Sequence, residues 1–294
     1  MRNDRRSVLM FVSSMLIFGT IGIFRKFIPL SSAFLAFSRG MLGGVFLLGF
    51  MALKRQPLRG KLSLRTVLWL VLTGILIGIN WILLFEAYNH TTVAVATLCY
   101  YMQPTIVVLL SPLIFHERLT LRKGLCALAA VAGMVLVSGV TDGAGAGDLQ
   151  GVLMGLGAAV FYATVVILNK KLPGVDAYPK TTIQLLSAGA VMIPYLLLTG
   201  GFTTEGFTPT AVLLLLVVGI VHTGIAYVMY FGSMDGLRAQ SVALLSYIDP
   251  VSALLFSALL LRESLSLSGL LGAVMIIGSA VISETGPSKA HSSH

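Results

Sequence analysis

Charged residues are scarce in this sequence. Of its 294 residues only 11% are Asp, Glu, Lys or Arg, whereas 56% are hydrophobic and the mean hydropathy is +0.93. In a soluble domain roughly a quarter of the residues are charged, because charges keep its surface hydrated. The shortage of charge therefore excludes a soluble globular protein and predicts an all-α integral membrane protein.

Cysteines and nucleotide-binding motifs are also few or missing. The two cysteines, Cys99 and Cys126, lie in apolar segments, which predicts buried free thiols rather than a disulfide or a metal site. No G-x-x-x-x-G-K-[ST] loop is present, which argues against an ATP-driven pump. The sequence also contains no ring-forming filter motif of the kind that would indicate a channel. We expect neither a metal nor a cofactor.

A membrane-embedded enzyme is the remaining catalytic alternative. The string GAGD, residues 145–148, matches the G-x-G-D of intramembrane aspartyl proteases. That chemistry needs a second Asp facing the first within the membrane, but Asp148 lies in a polar loop and no Tyr-Asp pair occurs. We therefore expect no catalytic residues and no enzymatic activity.

Long apolar segments recur along the whole chain. Segments of about 18 to 25 residues are long enough to cross a hydrocarbon core of roughly 30 Å. The first segment lacks a small-residue cleavage site, so we predict a retained helix rather than a signal peptide. We predict ten membrane spans, at residues 7–25, 31–53, 66–88, 91–115, 122–140, 149–169, 179–199, 208–232, 239–261 and 266–284.

The net charge of +9 is explained by membrane topology rather than by nucleic acid. With a cytoplasmic N-terminus, Arg25, Lys26 and Arg262 lie outside, Arg39 lies within a span, and the other sixteen Lys and Arg lie inside. This positive-inside pattern predicts a multi-pass protein of the plasma (inner) membrane with both termini in the cytoplasm. The expected partners are a small-molecule substrate, membrane lipids and, as an option, protons. The oligomeric state stays open. The sixteen Lys and Arg residues predicted on the cytoplasmic side are Arg2, Arg5, Arg6, Lys54, Arg55, Arg59, Lys61, Arg65, Arg118, Arg122, Lys123, Lys170, Lys171, Lys180, Arg238 and Lys289.

The two halves of the chain are related to each other. Each half contains five spans, an odd number, so the second copy must enter the membrane from the opposite side. Inverted repeats of this kind are typical of secondary transporters, whose substrate site lies between the halves near the midplane. We predict a first five-helix repeat at 1–140, an extracytoplasmic linker at 141–148, a second, inverted repeat at 149–284 and a cytoplasmic tail at 285–294. At an offset of 146 residues, Gly78, Tyr101, Pro104 and Glu117 match Gly224, Tyr247, Pro250 and Glu263.

Two further stretches carry a resemblance to a known family. The paired strings HERLTLRKGLCALAAVAG and RESLSLSGLLGAVMIIG, with a mid-span proline upstream of each, resemble the drug/metabolite transporter superfamily in its EamA group. The resemblance implies a basket of ten helices, with spans 1–4 and 6–9 around a central cavity and spans 5 and 10 peripheral. It also implies transport of a small metabolite by alternating access. Because the group includes exporters and importers of amino acids, nucleosides, cofactors and amines, the resemblance does not choose a substrate.

Ionisable side chains inside the spans are the first candidates for function. A charge at a helix centre costs about 2.5 to 3.5 kcal/mol on the insertion scale, so each one requires a reason. His222 and Asp249 lie 13 and 14 residues from the turn at Asp235, which places both near the midplane at about 1.5 Å per residue. They could meet and titrate as a proton-coupling pair. The alternatives are a protonated Asp249 bonded to a carbonyl freed by Pro250, and a packing role for His222.

Arg39 and Glu86 leave similar alternatives open. Arg39 could neutralise Asp249 or Glu86, hold a substrate carboxylate, or form an internal structural ion pair. Glu86 is either a partly solvated gate or a surface acid. Glu117 and Glu263 precede spans 5 and 10, where we expect a structural interaction with the helix dipole.

Aromatic stripes and prolines complete the candidate site. The aromatic residues suit a flat heterocycle, an aromatic amino acid or an organic cation, although such stripes are more often packing. We predict an exporter of amino acids or related compounds; the acids favour the alternative, uptake of an organic cation, and a non-transporting receptor or scaffold is more remote. The predicted substrate-binding residues are Asn80, Trp81, Tyr101, Gln103, Tyr227, Tyr247 and Asp249, and the predicted coupling or gating residues are Arg39, Glu86, His222, Pro104 and Pro250.

Overall fold

The protein is all-helical throughout the part of the chain that the computed structural model describes. That part comprises residues 4–58, 62–91, 93–117, 119–137, 149–172, 174–202, 206–261 and 266–285. The predicted linker at 141–148 and the tail from residue 286 lie outside it. The helices are α1 (Arg5–Gly19), α2 (Ile21–Lys26), α3 (Ser32–Leu53), α4 (Leu64–His90), α5 (Val93–Tyr100), α6 (Gln103–Phe115), α7 (Leu121–Val137), α8 (Leu149–Lys170), α9 (Ala177–Leu198), α10 (Pro209–Val217), α11 (Ala226–Ser233), α12 (Ala239–Ser246), α13 (Ile248–Leu261) and α14 (Leu267–Thr285).

Eight helical stretches are long and apolar enough to cross a membrane. Each coincides with one of the predicted spans, and the two other predicted spans fall on α7 and α14. Leucines such as Leu113, Leu197 and Leu259 are exposed on the outside of the bundle, as expected for side chains that face lipid. The eight stretches are Arg5–Arg25, Ser32–Leu53, Leu64–His90, Ala96–Phe115, Leu149–Lys170, Ala177–Leu198, Pro209–Gly236 and Ala239–Leu260.

Two spans are interrupted at equivalent places, as their prolines predict. Helix α5 ends at Tyr100 and α6 begins at Gln103, directly before Pro104. Helix α12 ends at Ser246 and α13 begins at Ile248, two residues before Pro250. Proline has no N–H to continue the hydrogen-bond ladder, and its ring clashes with the preceding turn. The span that contains His222 is irregular in another way, since Val218–Ile225 is π-helical between α10 and α11.

Close helix contacts depend on small residues. A Cβ added at Gly74 would lie 2.5 Å from the carbonyl oxygen of Gln184, and one added at Gly78 would lie 2.2 Å from a methyl group of Val191. Both glycines therefore let α4 approach α9 more closely than any side chain would permit. Cys99 and Cys126 are buried free thiols, as predicted.

The packing between the halves is symmetric. The contact of α4 with α8 has its counterpart in the contact of α11 with α1. The contact of α4 with α9 has its counterpart in the contact of the π-helical segment with α3. The equivalent helices α3 and α9 contact each other, and so do α7 and α14. Helices α3 and α9 are antiparallel, because Phe50 stacks on Tyr178 at 5.3 Å whereas Gly44 lies against Leu186.

Glu117 has a structural contact with a helix end, but among the described residues that end is not the start of α7. It accepts hydrogen bonds from the backbone N–H groups of Ala239 (2.9 Å) and Gln240 (3.3 Å), at the start of α12. The acid still neutralises the positive end of a helix, but the helix belongs to the other half of the chain. Its repeat counterpart Glu263 lies outside the described residues.

Candidate functional site

The two interrupted helices exchange contacts at the centre of the bundle. Tyr101, at the break between α5 and α6, donates a hydrogen bond from its hydroxyl to Asp249 Oδ2 at 3.1 Å. Tyr247, at the break between α12 and α13, shares a hydrogen bond with the hydroxyl of Thr105 at 2.7 Å. Each tyrosine therefore reaches from its own half to the interrupted helix of the other half. The breaks free the backbone locally and let these side chains cross.

Asp249 is partly buried at the start of α13. The positive end of this helix favours its carboxylate, as does the hydroxyl of Tyr101. The sequence offers Arg39 as a partner for this carboxylate. Within the described part of the chain, however, no nitrogen of Arg39 lies within the 4.0 Å of a salt bridge to Asp249. Arg39 and Asp249 therefore do not neutralise each other by direct contact.

Arg39 is held by an aromatic ring instead of an acid. Its guanidinium carbon lies 4.7 Å from the ring centroid of Trp81, and this cation–π contact orients the planar group. Its Nε is buried and has no hydrogen-bond partner among the described residues. A buried donor without a partner costs about 1–3 kcal/mol, so the arrangement is one that an incoming acceptor would stabilise.

An array of aromatic side chains extends across the centre. Tyr100 lies 5.9 Å from Tyr162, and Tyr162 stacks on Tyr230 at 6.4 Å and 9°. Tyr227 continues the array to Phe18, whose ring centroid is 5.2 Å away. Tyr100 and Tyr162 are only partly buried, whereas Tyr227 and Tyr230 are almost completely buried.

Only Tyr227 of this array was among the predicted substrate-binding residues; Phe18, Tyr100, Tyr162 and Tyr230 were not. Phe18 and Tyr162 lie in the first spans of the two halves. Aligning these spans at an offset of 144 residues places Phe18 on Tyr162 and Pro29 on Pro173. This alignment would have found the pair, whereas the offset of 146 derived from the later spans does not.

Two of the predicted substrate-binding residues face neighbouring helices or have no partner. Asn80 is fully buried and donates from Nδ2 to the carbonyl oxygen of Ala158 at 2.6 Å, which links α4 to α8. Gln103 is 4% exposed, lies directly before Pro104, and its Nε2 has no hydrogen-bond partner among the described residues. The side-chain amide of Gln103 is therefore an unsatisfied hydrogen-bond donor. In the alignment of the two halves, Gln103 occupies the position equivalent to Asp249.

His222 does not meet Asp249. Its Nε2 lies 2.8 Å from the hydroxyl of Thr20, and its ring packs against Phe24 with centroids 4.6 Å apart. No ion pair joins His222 to Asp249 in the described part of the chain. Counting residues predicts similar depths for the two, but the π-helical segment widens the turn at His222, whose side chain contacts Thr20 and Phe24. The expected pair is not formed in this conformation.

Glu86 lies near the end of α4, away from the aromatic array. Its carboxylate accepts a hydrogen bond from the hydroxyl of Tyr195 on α9 at 2.7 Å, and a longer one from Asn89 at 3.4 Å. Glu86 is partly buried. It links the two halves at the end of the bundle opposite the N-terminus.

The end of the bundle that carries the N-terminus is closed by a polar network. The ammonium of Lys170, at the end of α8, donates to the carbonyl oxygens of Met234 (2.8 Å) and Leu237. Asp235 accepts from the N–H of Gly174 at 3.0 Å and lies 3.9 Å from Nζ of Lys180, a residue that is 1% exposed. The connection 234–238 between α11 and α12 is thereby held against α8 and α9.

The opposite end has a different arrangement. Arg25, near the end of α2, donates to the carbonyl oxygen of Ile28 in its own connection at 2.6 Å. Lys170, by contrast, donates to a carbonyl oxygen in the connection between α11 and α12. The ends of the first and sixth spans therefore make different contacts.

Comparison with known proteins places this architecture in a family. The EamA-like transporter family model matches residues 5–139 and again residues 149–285. The chain is 29% identical over 273 residues to the uncharacterized transporter YxxF of Bacillus subtilis, with coverage of 92% of this chain and 86% of that protein. It is 28% identical to the protein PecM of Dickeya dadantii, over 72% of this chain and 71% of PecM.

A third relative and a solved structure also match most of the chain. The protein RarD of Salmonella typhi is 28% identical, over 70% of this chain and 69% of RarD. A crystal structure with 20% sequence identity superimposes with a TM-score of 0.83, covering 95% of this chain and 97% of the other, which shows a shared fold. On the two family matches and the membrane helices, this chain belongs to the EamA-like transporter family, in the drug/metabolite transporter superfamily.

Proposed function

We propose that this protein is a secondary transporter that exports amino acids or closely related zwitterions across the plasma membrane by alternating access. The observation that carries the proposal is that, among the described residues, Arg39 rests on Trp81 with its buried Nε unpartnered and forms no salt bridge with Asp249. Two such groups inside a membrane bundle are costly unless a ligand of opposite polarity can reach each of them.

The side chains suit the two ends of an amino acid. The guanidinium of Arg39 would hold the carboxylate, since its Nε and terminal nitrogens form a planar fork that matches carboxylate geometry. Asp249, with Tyr101 and the tyrosines around it, would hold the ammonium group. Gln103, whose Nε2 has no hydrogen-bond partner among the described residues, supplies a further donor. Trp81, Tyr227 and Tyr247 would line the site, while Asn80 supports it from α4.

Alternating access rests on an arrangement of two inverted five-helix halves, at residues 1–140 and 149–284, with ten spans in all. The symmetric packing of the halves and the antiparallel contact of α3 with α9 support this arrangement. If the positive-inside pattern sets the orientation, both termini are cytoplasmic and the described conformation is closed toward the cytoplasm. Glu86, Pro104 and Pro250 are then positions where the halves hinge or close, and transport proceeds without covalent chemistry.

Proton coupling is assigned to Asp249. Its carboxylate accepts a hydrogen bond from Tyr101 between the two interrupted helices, and it would hold either a proton or the substrate ammonium group, not both at once. His222, bonded to Thr20, would act in gating between α1 and the π-helical segment rather than as the direct proton partner of Asp249.

Transport in proteoliposomes tests the proposal. An amino acid, its carboxamide and a quaternary amine of similar size are loaded separately, and efflux is followed with and without a pH gradient. We expect efflux of the amino acid and little efflux of the carboxamide, which lacks the group for Arg39. Efflux of none of the three, from vesicles that contain folded protein, would contradict the transporter assignment.

An organic cation is the second candidate substrate. Asp249 and the aromatic array would suit a quaternary amine, because tyrosine and tryptophan faces attract cations. The matched variants Arg39→Gln and Asp249→Asn separate the two substrates. A cation carrier loses transport only in Asp249→Asn, whereas a zwitterion carrier loses transport in both variants.

A further inference from the structure

A groove with one charged end lies on the outside of the bundle between α7 and α14. It has a volume of about 550 Å³ and is lined mainly by apolar side chains, including Leu125, Val274 and Ile282. Arg122, in the first turn of α7, is the charged member of its lining. The groove exists because its wall contains Gly278, where an added Cβ would meet nothing within 4 Å.

We propose that this groove binds an anionic phospholipid, with an acyl chain between α7 and α14 and the phosphate on Arg122. The lining extends from Leu121 to Ala129 on α7 and from Val274 to Ile282 on α14. Eight residue steps rise about 12 Å along each helix, which is enough for the upper half of an acyl chain. The guanidinium offers a phosphate two parallel N–H donors.

The position of the arginine favours a lipid over other occupants. The charge of Arg122 lies at one end of the apolar groove. In a phospholipid the phosphate likewise lies at one end of the acyl chains. A second copy of the protein would instead enclose the guanidinium in an apolar interface, which is costly without an acid opposite it. A basic pocket between membrane helices is also the type of site that recognises anionic headgroups.

A second groove on the molecule provides a comparison within the same chain. It has a volume of about 520 Å³ and is lined by Leu83, Leu149, Gln150, Leu153 and Met154, with no charged side chain among the described residues. A lipid chain could occupy both grooves, but only the groove with Arg122 would discriminate between headgroups. The proposal therefore concerns headgroup selection and does not depend on the transported substrate.

Native mass spectrometry of the detergent-solubilised protein tests this site. Phosphatidylglycerol and phosphatidylcholine with identical acyl chains are titrated against the full chain. For the first bound lipid we expect phosphatidylglycerol to be preferred by about tenfold, because both lipids offer Arg122 a phosphate but the choline ammonium of phosphatidylcholine opposes the charge of the arginine. Equal binding of the two lipids would overturn the proposal.

Two variants and one control locate the bound lipid. Gly278→Leu fills the groove and should remove the preferred phosphatidylglycerol, whereas Arg122→Gln should retain a bound lipid but lose the headgroup preference. Gly124→Leu is the matched control, since an added Cβ there also meets nothing within 4 Å but Gly124 does not line the groove. Unchanged lipid preference in Gly278→Leu would refute the site. Loss of a dimer signal in that variant, with lipid binding unaltered, would assign the groove to a second copy.

Discussion

Replacing Lys170 by Met should loosen the closed end of the bundle. Methionine is unbranched and about as long as lysine. It lacks the ammonium group that binds the carbonyl oxygens of Met234 and Leu237. Both carbonyls would lose their charged donor, and the connection 234–238 would be held less firmly to α8. We therefore expect the population open at the N-terminal end to rise.

The size of the effect follows from the two hydrogen bonds. A hydrogen bond with a charged donor contributes about 1.5–3 kcal/mol, and less where water can replace it. Lys170 is partly buried, so we assign about 2 kcal/mol to the pair rather than the sum of two full contributions. That free energy corresponds to a factor of about 30 in the ratio of open to closed molecules.

Thiol labelling measures this ratio. A cysteine is placed at Ser246, which is 8% exposed and donates to the carbonyl oxygen of Val242 in its own helix, in a background without Cys99 and Cys126. A membrane-impermeant reagent is added to the N-terminal side of oriented vesicles. We expect Lys170→Met to label about 30-fold faster than the parent protein, within the limit set by the reagent.

Lys171→Met is the control for this experiment. Lys171 is the next residue, carries the same charge and is exposed. Its removal changes the local charge equally but leaves the bonds to Met234 and Leu237 in place. An unchanged labelling rate in folded Lys170→Met, or the same increase in Lys171→Met, would refute the closing role of Lys170.

Three further predictions concern the centre and the packing of the bundle. Asp249→Asn should keep the fold but remove the pH dependence of transport in proteoliposomes, and a full pH dependence would exclude the residue as the proton carrier. Arg39→Lys keeps the charge but loses the planar fork, so a substrate carboxylate should bind about tenfold more weakly in a thermal-shift titration; equal affinity would place the carboxylate elsewhere. Gly78→Leu should lower the unfolding free energy by about 1–3 kcal/mol or more, whereas Gly22→Ala, where an added Cβ meets nothing within 4 Å, should change it little; thermal denaturation in detergent compares them.

Much of the architecture could be predicted because hydrophobicity acts locally along the chain. A segment must be apolar for about 20 residues to cross a bilayer, so eight membrane-spanning stretches could be located without knowing their neighbours. The breaks near Tyr101 and Tyr247 were equally accessible, since proline interrupts a helix through its own covalent structure.

Contacts between helices could not be predicted in the same way. Counting residues placed His222 and Asp249 at one depth, but depth does not determine which side of a helix a residue faces. The π-helical segment directs His222 to Thr20, and the break in the fourth span brings Tyr101 to Asp249.

The sequence by itself determined that the chain is a membrane protein of two related halves, with interruptions at Pro104 and Pro250. Only the tertiary structure decided that Arg39 rests on Trp81 instead of pairing with Asp249, and that Lys170 closes one end. The physical reason is the difference between the two kinds of interaction. Insertion into lipid depends on the composition of each segment, whereas side-chain contacts depend on the rotation and irregularity of several helices at once.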